Sequence, residues 1–166
     1  MTGQSEHQPV NPKASSPSGF GLSLKGRALR YLAAREHSRA ELERKLKPHA
    51  ESADQLAQVL DELTAKDFIS EARVVESVIN RRSAKFGAAR VKHELLGKGL
   101  AAEVVLQAIE GLKTTEVERA REIWRRKFDG PASDAAGRAR QMRFLAARGF
   151  SGETIRKVVA SVKEDQ

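Results

Sequence analysis

The chain has 166 residues, with 30 Lys and Arg against 22 Asp and Glu, a net charge of +8 and no cysteine, which excludes disulfides and thiolate metal sites and points to a polyanion or an acidic protein surface as partner. Only 5% of residues are aromatic, and no β-branched run alternates over more than a few residues, so the composition excludes a strand-rich fold and predicts an all-α one. No apolar run approaches the roughly 18 residues of a membrane span, and the N-terminus lacks the apolar core of a signal peptide; no membrane association is expected, and a soluble cytoplasmic protein is.

Residues 1–23 hold three of the five prolines among Ser, Gly and Gln and have little to bury, the composition of a disordered tail. From Leu24 the texture changes to charged residues interleaved with apolar ones three and four apart, and a first helix is expected over about Gly26 to Arg35. Ser38 is a suitable N-cap for a second helix carrying Leu42 and Leu46, stopped by Pro48. Leu56, Val59, Leu60 and Leu63 then have the spacing i, i+3, i+4, i+7 of one helical stripe.

The same pattern follows twice more. A helix over about Glu71 to Lys85 precedes a start at Gly87, the pair Val91 and Leu95, and the stripe Val105, Ala108, Ile109 and Leu112. A helix over about Glu116 to Phe128 precedes a start at Gly137, the apolar Leu145, and the stripe Ile155, Val158, Val159 and Val162. The stripes begin at 56, 105 and 155, offsets of 49 and 50 residues, which is an internal repeat. Gly99 and Gly149 stand where the middle helices must end, and a Schellman ending pairs Leu100 with Leu95 and Phe150 with Leu145.

The prediction is therefore three tandem three-helix repeats over 24–66, 67–113 and 114–162, with 163–166 as a C-terminal tail, forming an elongated, curved helical array. A helix of about 12 residues is only some 18 Å long, so each unit needs its neighbour to bury enough surface. The first unit departs from the others, with Ala50 in place of the glycine and Glu51 in place of the apolar residue.

The stretches "REHSRAELERKL" (35–46), "LTAKDFISEARV" (63–74), "FGAARVKHELLGKGL" (86–100) and "RQMRFLAARGFSGETIRKVV" (140–159) resemble, in order, the signatures of the RecX family, bacterial regulators of the RecA recombinase. The resemblance runs from about Leu24 to Val162 and includes the three-fold repeat. It implies a non-enzymatic protein that binds the RecA filament on single-stranded DNA, reduces its ATP hydrolysis and strand exchange, and hinders its growth. Recombination, DNA repair and the SOS response are the processes so modulated. The alternative is a non-specific nucleic-acid-binding helical-repeat protein.

Catalytic chemistry is not expected. His7, His37, His49 and His93 lack the spacing of metal ligands, no Gly-rich phosphate loop appears, and no serine sits in a nucleophile elbow. Neither a cofactor nor a metal is anticipated. His37, just before the Ser38 cap, reads as a local structural residue, and Trp124, with Ala120 and Phe128 four residues either side, reads as core.

Candidate contacts are cationic. Net charge rises along the chain to +5 from Lys113 onward, and Arg121 with Arg125, Arg119 with Arg126, and Arg140 with Arg143 share helical stripes. Arg81, Arg82 and Lys85 form a smaller cluster continuing to Arg90 and Lys92. The candidate partner- or DNA-binding residues are Arg81, Arg82, Lys85, Arg90, Lys92, Arg121, Arg125, Arg126, Arg138, Arg140, Arg143 and Arg148. Stacking residues are scarce, so any affinity of this expected monomer for single-stranded DNA should be weak, non-specific and salt-sensitive.

Overall fold

The computed structural model describes residues 21–161, so the predicted tails, apart from residues 21–23, and Val162 lie outside the described residues. Within them the chain forms helices α1 (Leu24–Ala34), α2 (Arg39–Leu46), α3 (Ala53–Ala65), α4 (Glu71–Arg82), α5 (Ala88–Gly97), α6 (Ala102–Lys113), α7 (Glu116–Lys127), α8 (Ala135–Ala146) and α9 (Gly152–Ser161). No strand occurs among the described residues. The architecture is all-α, three three-helix units in tandem.

Each unit has its own apolar centre. Leu42, Leu46, Leu60 and Leu63 lie at the heart of the first, Val74, Val78, Leu95 and Val105 of the second, and Ala120, Leu145 and Val158 of the third. Leu46, Leu95 and Leu145, the equivalent middle-helix positions, are each 0% exposed, and such burial contributes about 1.5–3 kcal/mol per side chain. Leu56, Val105 and Ile155, which open the three stripes, are all buried. Trp124 is buried beside Phe128, at 6.1 Å between ring centroids, as its spacing predicts.

Local chemistry sets the helix boundaries. Ser38 and Glu41 form a reciprocal capping box at the start of α2, and Ser23, Ser52 and Ser70 cap α1, α3 and α4 with their hydroxyls. Gly149 ends α8 at φ +82, and its Schellman bonds run from Gly149 N–H to Ala146 O and from Phe150 N–H to Leu145 O. Gly99 ends α5 at φ +74, donating its N–H to Leu96 O at 2.9 Å. Asp67, which no pattern marked, makes a left-handed turn at φ 60 after α3, and Arg73 clasps its carboxylate at 2.9 Å.

The end of α4 falls at Arg82, three residues before the predicted Lys85, and α1 starts at Leu24, two before the predicted Gly26; the start of α8 differs more instructively. Helix α8 starts at Ala135 under an Asp134 cap, and Gly137 lies inside the first turn, donating its N–H to Asp134 Oδ1 at 2.6 Å. The reason lies in how the units join.

Consecutive units meet through the ends of their middle helices. The start of α2 abuts the end of α5: the Ser38 hydroxyl donates to Lys98 O, and the Lys98 ammonium reaches Glu41 at 2.9 Å. The start of α5 abuts the end of α8: Gly87 N–H donates to Arg148 O at 2.8 Å and Ala89 N–H to Gly149 O at 3.3 Å. Donors left over at one helix start thus satisfy carbonyls left over at another helix end. Among the described residues no other unit abuts the start of α8, which extends one turn and caps itself.

Approach at these joints is close. A Cβ on Gly99 would come 2.6 Å from Ala40 Cβ, and one on Gly87 would come 2.3 Å from Gly149 O. In the first unit, no other unit among the described residues abuts the end of α2, and no glycine stands there. It runs instead into a 3₁₀ turn, Lys47–His49, containing Pro48, with Ala50 extended at φ −83 and ψ 139.

A buried carboxylate locks each joint. At the first, Glu41 takes Arg35 at 3.0 Å, Lys98 and Ser38 N–H; burial pushes its carboxyl up, but these donors outweigh that and hold it at about 2. At the second, Gly87 has no side chain to cap α5, and Glu116 from α7 supplies the cap, accepting Ala88 N–H at 3.0 Å while Ser151 and Thr154 donate to its other oxygen at 2.9 and 2.8 Å. Burial raises the Glu116 carboxyl, yet these bonds leave it below the ordinary value. Arg119 completes this joint, donating to Ser83 O and Phe86 O at 2.8 Å and to Leu112 O at 3.0 Å.

Candidate polyanion-binding groove

The second joint brings three short segments to one side of the molecule. The turn after α4 contributes Lys85 and Phe86, α7 contributes Ile123, Arg126 and Lys127, and α8 with the turn that ends it contributes Phe144 and Arg148. Ile123, Arg126 and Lys127 stand at i, i+3, i+4, and Phe144 and Arg148 at i, i+4, so each helix turns one stripe toward the same space. With Ala84 they line an open groove of about 580 Å³.

Two of its edges are held in place. The Arg148 guanidinium lies 3.6 Å from the Phe144 ring centroid and donates to Phe144 O at 3.1 Å, while the Phe144 ring meets Phe128 edge-on at 5.2 Å. Phe86 carries the guanidinium of Arg90 at 4.7 Å and that of Arg82 at 5.5 Å. Arg90 is fixed further by donating to Ala147 O at 3.0 Å. Cation–π contact and a carbonyl bond together give these planar groups one orientation.

The groove walls hold four cations and no carboxylate. Each of the other described grooves has an acid in its wall: Glu43, Glu116 with Glu153, Glu94, and Asp134. The acid bonded to a wall residue is Glu122, at 3.7 Å from Arg126, with both side chains about two-thirds exposed, a pair worth well under about 1 kcal/mol.

The predicted cationic residues do not form one patch. Arg81 and Arg82 both turn onto Glu94, each at 2.7 Å, which offsets much of their charge. Arg90 rests on Phe86 but lines the neighbouring groove with Arg82 and Glu94. Lys92 faces away, into a groove with Lys113 and Lys157. Arg140 and Arg143 share the groove at the start of α8, and Arg138 there donates to Ser133 O at 3.3 Å. Arg121 and Arg125 lie on a different stripe of α7 from Arg126, with Arg125 exposed. Arg119, placed on a solvent stripe with Arg126 by its spacing, is turned inward instead, because three unsatisfied carbonyls meet there.

Lys85, Arg126 and Arg148 are therefore the predicted residues that the fold brings together. Lys127, Phe86 and Phe144 were not marked. The spacing of Ile123, Arg126 and Lys127 carried the signal for the first, and the placement of Phe86 and Phe144 beside arginines carried it for the others. Among the described residues no group of three His, Asp or Glu could hold a metal ion, and no helix is long and apolar enough to cross a membrane.

Three helical units joined end to end, with a cation-lined groove over one joint, define a protein of the helical-repeat class. Family profiles agree: that for the first three-helix domain of RecX matches residues 25–63, and that for the third matches residues 114–159. The chain is 58% identical over 138 residues to the regulatory protein RecX of Leptothrix cholodnii, covering 83% of this chain and 88% of that one. It is 49% identical over 145 residues to the regulatory protein RecX of Herminiimonas arsenicoxydans, covering 87% and 96%. The crystal structure of RecX from Lactobacillus salivarius superposes with a TM-score of 0.69 at 21% identity, covering 85% of this chain and 95% of that one. The chain belongs to the RecX family of regulatory proteins.

Proposed function

We propose that the protein is a non-enzymatic, monomeric, cytoplasmic regulator that binds the RecA recombinase filament on single-stranded DNA. There it lowers ATP hydrolysis, strand exchange and filament growth, and so modulates recombination, DNA repair and the SOS response. Membership of the RecX family supports this reading. The structural observation that carries it is the pair of end-to-end joints, each closed by a buried carboxylate. They hold three units in fixed register, so the chain meets several subunits of a polymer as one body.

The test is to titrate the full chain into RecA on single-stranded DNA while following ATP hydrolysis and filament length. A fall in both at stoichiometric protein is expected; no change in either would remove the proposal. The second reading, a nucleic-acid binder acting without a recombinase, is favoured by the acid-free groove. It demands tight binding to DNA alone with log affinity falling steeply against log salt, whereas a filament regulator needs only weak direct contact.

A further inference from the structure

We propose that the groove over the second joint is a cradle for a single nucleic-acid strand, with Lys85, Arg126 and Lys127 on phosphates and the Arg148–Phe144 pair as a plate for an unstacked base. This deepens the reading above and rests on it only for the source of the strand. Charge alone would accept any polyanion. The Arg148–Phe144 pair selects further, because a guanidinium centred 3.6 Å over a ring and tied to a carbonyl can stack on an unpaired base, and bases in a duplex are already stacked. Arg148 is held by the Phe144 ring and by a backbone carbonyl, so little ordering of its side chain remains to be done on binding. A strand is favoured over an acidic peptide by the pairing of planar edges with cations at spacings of one helical turn.

The experiment follows the anisotropy of a labelled oligothymidine of about 20 nucleotides with the full chain and no recombinase. Reversing two groove cations, Lys85→Glu with Lys127→Glu, should weaken binding about tenfold or more and flatten the salt slope by about 1.4. Reversing two exposed cations of the first unit, Arg44→Glu with Lys47→Glu, makes the same change of net charge and should cost about twofold or less. Arg148→Lys keeps the charge but loses the plane, and should weaken oligothymidine about three- to tenfold while leaving an abasic oligomer of equal length unaffected. Equal losses from the two double reversals, or duplex and abasic oligomers bound as tightly as oligothymidine, would overturn the proposal. Recombinase ATP hydrolysis is read on the same proteins. A chain that binds oligothymidine through the groove yet leaves the recombinase untouched refutes the regulator reading alone.

Discussion

Gly87→Ala isolates the contribution of a joint. Its φ of −75 and ψ of 169 are open to any residue, so the start of α5 itself should accept alanine. The obstacle is the neighbouring unit, because the new Cβ would lie 2.3 Å from Gly149 O and 2.4 Å from Phe150 N, which are backbone atoms. Relieving that clash means parting α5 from α8, which gives up the bonds from Gly87 and Ala89 N–H and strains those from Arg90 and to Glu116. At about 1 kcal/mol for each neutral bond, and more for the buried carboxylate, the expected loss is about 3–5 kcal/mol, a large part of a typical domain's stability. Urea unfolding should be followed by far-ultraviolet circular dichroism, which sees all helices, and by Trp124 fluorescence, which sees the third unit. The two transitions, coincident in the parent, should separate. Gly111→Ala is the control: its Cβ meets nothing within 4 Å inside α6, so it should gain about 0.5–1 kcal/mol. If Gly87→Ala costs less than about 1 kcal/mol, or if both probes still move together, the joint is not what holds the units in register.

Glu116→Ala removes the acceptor shared by Ala88 N–H, Ser151 and Thr154 and should cost about 2–4 kcal/mol, with amide exchange at Ala88 accelerating more than exchange within α2. Glu41 titrates at about 2 when folded against 4.5 unfolded, so its stabilisation, about 3 kcal/mol, is complete above pH 4.5 and is lost as pH falls toward 2; Glu41→Gln should flatten that limb of an acid-unfolding curve. His37 is buried and its folded pKa is lowered below 6.5, chiefly by that burial, so stability should decline as pH falls below 6.5, and His37→Gln should remove this decline. Arg119→Ala should destabilise by about 2–3 kcal/mol in denaturant titrations, and Arg119→Lys should restore less than half, since one ammonium does not reach three carbonyls held at 2.8–3.0 Å.

The repeat was legible because apolar spacing and helix-ending glycines depend on local chemistry, which a sequence states directly. Leu95 with Leu100 and Leu145 with Phe150 could be paired from spacing alone, and all four are buried. What spacing left hidden was every contact made between units. Gly87 reads as an ordinary cap, and nothing near it reveals that Glu116, 28 residues beyond Ala88, would do the capping. Gly137 differs for the same reason: the repeat predicts a helix start there, but among the described residues no unit abuts the start of α8 to keep it short. Charge suffered likewise, because stripes on α7 and α4 show which side chains share a face and not whether Glu94 will neutralise them or three carbonyls will draw Arg119 inward.

The abutted middle helices also have an electrical consequence. Each helix start carries about half a positive charge and each end about half a negative one. Where α8 runs into α5, and α5 into α2, these poles cancel. Only the two outermost poles remain, and each meets a fixed counter-ion: Asp134 at the free positive pole of α8, and Arg44 and Lys45 in the last turn at the free negative pole of α2. To its surroundings the row of three behaves as one long dipole, terminated at both extremities, so opposite tips of the molecule are distinguishable to a charged lattice.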